Sequence, residues 1–181
     1  MDVDSYINED IKALKSIDID KINKIASLII KTIENHGKII AFGNGGSAAD
    51  ADHLTAELNG HFIRSRMALP AISLSNVSVI TAISNDYGYE NVFSRQIEAV
   101  CNDNDLVIGI TTSGKSINII NALKKAADKR AFTIAMTGSK YEILKNICDE
   151  IISVNSDKTP VIQDVHQAII HIISYIIDEH F

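Results

Sequence analysis

His53 and Glu57 stand four residues apart in a segment with helical spacing. Residues at i and i+4 share a helix face, so this imidazole and carboxylate can bind one cation or exchange a proton. The same pairing also occurs on plain solvated helix faces. A second set of chemically capable groups, Gln163, His166 and His171, lies near the C-terminus. His171 is flanked by Ala168, Ile169, Ile170, Ile172 and Ile173, a setting in which a histidine is more often a satisfied core residue than a ligand. His36, His61 and His180 have no evident chemical partner. Two further segments suit an anion. Gly43-Asn44-Gly45-Gly46-Ser47 would bring backbone N–H groups close to a ligand at a helix start, with Ser47 able to cap the helix or donate to a phosphate. The same residues also suit an ordinary strand-to-helix turn. Thr111-Thr112-Ser113-Gly114-Lys115-Ser116 crowds hydroxyls into one loop ahead of a helix, a neutral cradle for a phosphate. Residues 109–116 also satisfy the literal GxxxxGK[ST] pattern of a nucleotide-binding loop. Gly109 falls inside an apolar run, however, and no later strand ends in a magnesium-binding Asp, so that reading is disfavoured.

The elements that would position these groups alternate along the chain. Ile22, Ile25, Ile29, Ile30 and Ile33 follow helical spacing, with Asp20 placed to cap the helix and Gly37 to end it; an earlier helix carries Ile7, Ile11 and Leu14. After Gly37, short apolar runs at 38–42, 71–74, 106–111, 132–136 and 151–154 alternate with helical patterns. The helices are expected at 47–59, 78–84 with 93–100, 116–129, 141–147 and 162–179. Strands that are apolar throughout and separated by helices indicate an α/β fold with a parallel sheet covered on both faces. Ligands on such sheets bind beyond the carboxyl ends of the strands, where both anion-suited loops fall.

Size and composition bound the rest. The chain has 181 residues, 46% hydrophobic and 22% charged, ordinary values for one globular domain. A formal net charge of −6 with no basic cluster disfavours nucleic-acid binding. The acidic start Met1-Asp2-Val3-Asp4 lacks signal-peptide order, and the longest apolar run, 168–177, is too short to span a membrane. Cys101 and Cys148 form no CxxC motif and are read as reduced thiols of a cytoplasmic protein.

In order along the chain, Gly43-Asn44-Gly45-Gly46-Ser47, His53-x-x-x-Glu57-Leu58-x-Gly60, Asn85-Asp86, Thr112-Ser113-Gly114-x-Ser116 and Ile162-Gln163-x-x-His166 with His171 resemble the phosphoheptose isomerases of the sugar isomerase (SIS) domain superfamily. The resemblance runs from about Gly37 to the end. It implies a single SIS domain over 1–181, a three-layer α/β sandwich with a central five-stranded parallel sheet of flavodoxin-like form. Residues 1–36 would form helices for oligomer packing, and 37–181 the sheet and active site. It also implies conversion of sedoheptulose 7-phosphate to D-glycero-D-manno-heptose 7-phosphate for lipopolysaccharide, capsule or related surface glycans. By matched position, substrate contacts fall on Asn44, Gly45, Gly46, Ser47, Glu57, Asn85, Asp86, Thr111, Thr112, Ser113, Ser116 and Gln163. Zinc ligands fall on His53, Glu57, Gln163 and His171, with Glu57 and His171 as acid and base. A homotetramer with sites at chain contacts is implied. His61 and Val161 stand where the family usually has arginines, and Asp164 replaces the usual Glu. Non-catalytic relatives that bind a replication-initiation protein or sense a sugar phosphate are the competing readings; the complete His53, Glu57, Gln163 and His171 set favours catalysis.

Overall fold

The computed structural model describes residues 2–181. Helices α1 (Val3–Lys15) and α2 (Ile19–Glu34) precede β1 (Ile39–Gly43), α3 (Gly46–Asn59), β2 (Ala71–Ser73), α4 (Val77–Tyr87), α5 (Ser94–Val100), β3 (Leu106–Thr111), α6 (Ile117–Asp128), β4 (Phe132–Thr137), β5 (Glu150–Ser153) and α7 (Thr159–His180). The five strands pair in parallel in the order β2-β1-β3-β4-β5, as the alternation of apolar runs and helices predicts. No helix among the described residues is long and apolar enough to cross a membrane.

Successive strand residues point to opposite faces, and the core divides accordingly. Ile39, Ala41, Ile108, Ile110 and Ile134 pack beneath α2, α3 and α7. Ile40, Phe42, Val107 and Ala135 pack beneath α5 and α6. The chain is therefore a three-layer sandwich. Three local expectations change. The cap of α2 is Asp18, whose carboxylate accepts the Lys21 N–H at 3.0 Å, rather than Asp20. The Asn35 C-cap ends the same helix before Gly37 is reached. The helix expected at 141–147 is only a 3₁₀ turn, Leu144–Asn146. Leu144 is its one buried residue while Ile143 is exposed, and a single anchor cannot offset the cost of nucleating a longer helix.

Helix α1 packs on α7 but buries only Ala13. Its apolar residues Val3, Ile7, Ile11 and Leu14 are exposed. At the amino ends of the two central strands, Asp105 is 3% exposed. It accepts the Lys38 N–H at 3.0 Å, the Lys38 Nζ at 2.6 Å and the Asn102 N–H at 2.7 Å. This pin fixes β1 beside β3, on whose opposite ends the candidate loops sit. Asp105→Ala is expected to lower unfolding free energy by about 2–4 kcal/mol, because it strands buried donors, and Asp105→Asn by less. Urea titration checks this; a loss below about 0.5 kcal/mol, within the range of an ordinary surface change, would remove the pin from the account.

Candidate active site

The sheet order reverses direction between β1 and β3, since β2 lies on one side of β1 and β4 on the far side of β3. Such a switch point opens a crevice at the carboxyl ends of the strands. The glycine turn follows β1 and the hydroxyl loop follows β3, so both border it. Asn44 is locked across the crevice by a reciprocal amide pair with Asn118 (3.0 and 2.9 Å) and by the Tyr89 hydroxyl, which donates to its Oδ1 at 2.8 Å. Neither Asn118 nor Tyr89 was singled out by sequence; their tie to Asn44 is tertiary. Gly45, with φ +56°, is the N-cap of α3. Ser47 is therefore not the cap; it lies buried in the first turn.

In the hydroxyl loop, Thr111 and Ser116 Oγ atoms lie 3.1 Å apart, and Ser113 Oγ accepts the Lys115 N–H at 3.2 Å. Gly114 turns the loop at φ +64°, with space for no side chain, since a Cβ would lie 2.0 Å from the Lys140 carbonyl oxygen. A cavity of about 180 Å³ opens here, lined by Thr112, Ser113, Lys115, Ser139, Ser156 and Thr159 among others. Cavities of about 390 Å³ each lie along the β5 edge and near the amino ends of β3 and β4, away from these loops, and one of about 260 Å³ borders the hydroxyl loop at Gly114 and Lys115. Gly109 is paired within β3 to Phe42 and Ala135, so 109–116 is not a nucleotide-binding loop.

Helices α3 and α7 run side by side in parallel with a constant offset of 117–118 residues. A Cβ on Gly46 would meet Gln163 Nε2 at 2.3 Å, so glycine at this position admits the Gln163 side chain. One turn on, Gln167 donates to the Asp50 carboxylate. One further turn brings His53 against His171, Nε2 to Nε2 at 3.2 Å. Glu57 Oε1 lies 3.0 Å from the same His53 Nε2. The structure therefore brings His53, Glu57 and His171 to one point, and the core histidine of α7 is His166, fully buried. Burial pushes its pKa down to about 4, leaving it neutral near pH 7. Its Nδ1 is 4.0 Å from Asp50 Oδ2, too long for a hydrogen bond, and the two are not an ion pair. Burial raises the Asp50 carboxyl above its ordinary value. The stripes Gly46/Asp50/His53 and Gln163/Gln167/His171, spaced by three or four residues, are the signal from which Asp50 and Gln167 could have been read.

Gln163 does not join His171. Helix α7 is unbroken from Thr159 to His180, and eight residues span about 12 Å along it. Asn85 and Asp86 also stand apart on the exposed last turn of α4, where the Asn85 amide donates to Asp86 at 2.8 Å. Val161, at an expected arginine position, is buried in the core and faces no ligand. Nearby arginines are engaged: Arg64 pairs with Glu179 and Arg66 with Asp178. Cys101 and Cys148 are free thiols whose pKa values burial pushes up to about 11 and 12, which makes them poor nucleophiles near pH 7.

Among the described residues, no three of His, Cys, Asp and Glu form a ready-made cation cage. The donor chemistry nonetheless fits a metal ion. His53 Nε2 carries at most one proton, yet it faces both a carboxylate oxygen and a second imidazole nitrogen. A single proton cannot serve both contacts, whereas nitrogen and carboxylate oxygen are the ligands zinc takes.

Comparison with known proteins places the chain in a family. The SIS domain family model matches residues 5–138. The "Probable phosphoheptose isomerase" of Thermoplasma acidophilum is 48% identical, covering 100% of each chain. The phosphoheptose isomerase of Helicobacter pylori is 46% identical, over 94% of this chain and 88% of the relative. The solved phosphoheptose isomerase of Neisseria gonorrhoeae superposes with a TM-score of 0.91 at 37% identity, over 98% of this chain and 97% of that one. Fold and relatives agree: the chain belongs to the phosphoheptose isomerase family of SIS-domain isomerases.

Proposed function

We propose that this isomerase interconverts sedoheptulose 7-phosphate and D-glycero-D-manno-heptose 7-phosphate through an enediol. The observation that carries the proposal is the line Glu57–His53–His171, part-exposed and built between α7 and the α3 that begins at the glycine turn of the β1/β3 crevice. The names of the relatives point the same way. Aldose–ketose isomerisation removes a proton from the carbon beside the carbonyl and protonates the carbonyl oxygen, giving the enediol; the hydroxyl proton on the first carbon then leaves as a proton is returned to the former carbonyl carbon. A carboxylate and an imidazole supply that base and acid, and we assign the roles to Glu57 and His171. The hydroxyls of Thr111, Thr112, Ser113 and Ser116, with backbone N–H groups at the start of α6, hold the phosphate. Asn44, Gly45, Gly46 and Ser47 border the sugar. The heptose product would serve lipopolysaccharide, capsule or related surface glycans assembled from cytoplasmic precursors.

Zinc is the cofactor we assign. His53, Glu57 and His171 would hold it, and when bound it would polarise the sugar carbonyl or orient the sugar oxygens. Gln163 is a family-implied ligand that cannot reach the same point from its own α7. The fourth ligand therefore comes from a second copy, in a closed symmetric oligomer for which a tetramer is the family-implied size. Two surfaces support that assembly. Helix α1 turns an apolar stripe outward, and α4, which carries Asn85 and Asp86, has no buried residue. In the assembly these two residues would complete a neighbouring copy's site.

Glu57→Gln and His171→Ala are each expected to lower turnover of sedoheptulose 7-phosphate by roughly 10²–10⁴-fold with unfolding curves preserved. A variant within a few-fold of the parent would remove its residue from the chemistry. The shared site has a separate assay. Gln163→Ala and His171→Ala chains, each impaired alone, should regain activity when unfolded and refolded together, because a mixed site can draw an intact side chain from each copy. Verified mixed oligomers without recovery would refute the sharing.

A further inference from the structure

Beyond Gly60 the chain leaves α3 and crosses to the end of α7, where it is held by Asp178. Asp178 Oδ2 accepts the N–H groups of Phe62, Ile63 and Arg64 at 3.0, 2.7 and 3.0 Å. Its Oδ1 accepts Arg66 Nε at 2.7 Å. Both side chains of this pair are 1% exposed. The rest of the Arg66 guanidinium caps the carboxyl end of α3. Nη2 donates to the Glu57 carbonyl at 2.7 Å, and Nη1 donates to Leu58 at 2.9 Å, Gly60 at 3.2 Å and Met67 at 2.9 Å. One buried ion pair thus ties together the ends of the two helices that carry Glu57 and His171, and fixes the strap 61–66 between them.

The strap has one contact with the chemical groups. The Phe62 ring lies flat on the His171 imidazole, with centroids 5.2 Å apart and planes at 22°. His53 meets the same imidazole edge-on, at 4.9 Å and 71°. Apolar residues of similar volume would stabilise the fold about as well as a buried ion pair. They would not align three consecutive N–H groups on one carboxylate, and so would not fix which strap residue faces His171.

We propose that Arg66, Asp178 and Phe62 form a positioning unit for the reaction: the ion pair sets the strap, and the strap's Phe62 holds the His171 imidazole in the orientation that faces His53. The proposal rests on the isomerase reading of His171. None of the three residues is assigned a contact with substrate; each acts through His171 or through the ends of its two helices.

The test compares Phe62→Leu, Phe62→Tyr and Asp178→Asn in the intact oligomer, with saturating zinc and sedoheptulose 7-phosphate. Loss of orientation lowers turnover without weakening binding. Phe62→Leu should therefore lose kcat by about tenfold, with KM within about twofold of the parent and an unchanged Tm. Phe62→Tyr keeps the ring and should stay within about twofold in both constants. Asp178→Asn should reproduce the kcat loss where it folds; the Phe62 pair decides the matter where it does not. A Phe62→Leu chain with parental kcat, or with a raised KM and parental kcat, overturns the proposal, as does a Phe62→Tyr chain as impaired as Phe62→Leu. His171 ring-proton resonances, assigned by their loss in His171→Gln, give a readout independent of turnover. They should shift in Phe62→Leu and hold in Phe62→Tyr, and unmoved resonances in Phe62→Leu overturn the positioning claim. A parent chain with no isomerase activity would sink the isomerase reading alone, leaving these resonances to decide the positioning.

Discussion

The parallel register of α3 against α7 is the constraint on which the site depends. It is set by close approach at one end, where Gly46 admits the Gln163 side chain, and by the Arg66–Asp178 pair at the other. Between these ends the offset stays constant, so Asp50 meets Gln167 and His53 meets His171. A slip of one residue on either helix would rotate it by about 100° and separate the two imidazoles. The buried polar groups Asp50 and His166 lie inside this contact. The Gln167–Asp50 hydrogen bond across the contact is matched only in this register, which an all-aliphatic seam would not require.

The sheet supplies a second constraint. Because β1 and β3 are neighbours, the glycine turn and the hydroxyl loop open on one crevice, although 63 residues lie between them in sequence. The Asn44–Asn118 amide pair then joins the turn to the first turn of α6. His53 and Glu57 stand farther along α3, the helix whose first turn begins at the same glycines.

Much of this was legible in the sequence, for physical reasons that differ by element. Residues 106–111 are apolar throughout and flanked by Asp105 and a hydroxyl loop, so both strand and site loop could be read from one segment. His53 and Glu57 were readable because a helix fixes which residues share a face. His171 was harder. Its apolar neighbours suggested a core histidine, and only the family pattern marked it as functional; the core role belongs to His166, five residues earlier. The choice between Asp18 and Asp20 as cap turns on two residues of helix boundary, which periodicity does not resolve. Arg66 and Asp178, 112 residues apart, carry no local signal, since a tertiary ion pair leaves no spacing pattern in either segment. The arginine bonded to the end of α3 is Arg66, while position 61 holds His.

The central claim is that one chain supplies His53, Glu57 and His171 to a metal centre whose remaining ligand, Gln163, belongs to another copy. Anomalous diffraction at the zinc edge from crystals of the zinc-loaded oligomer tests it directly. The account predicts an anomalous peak within bonding distance of His53, Glu57 and His171 of one chain and of Gln163 from a neighbouring chain. A peak touched by Gln163 and His171 of the same chain, or one away from His53 and Glu57, would contradict it.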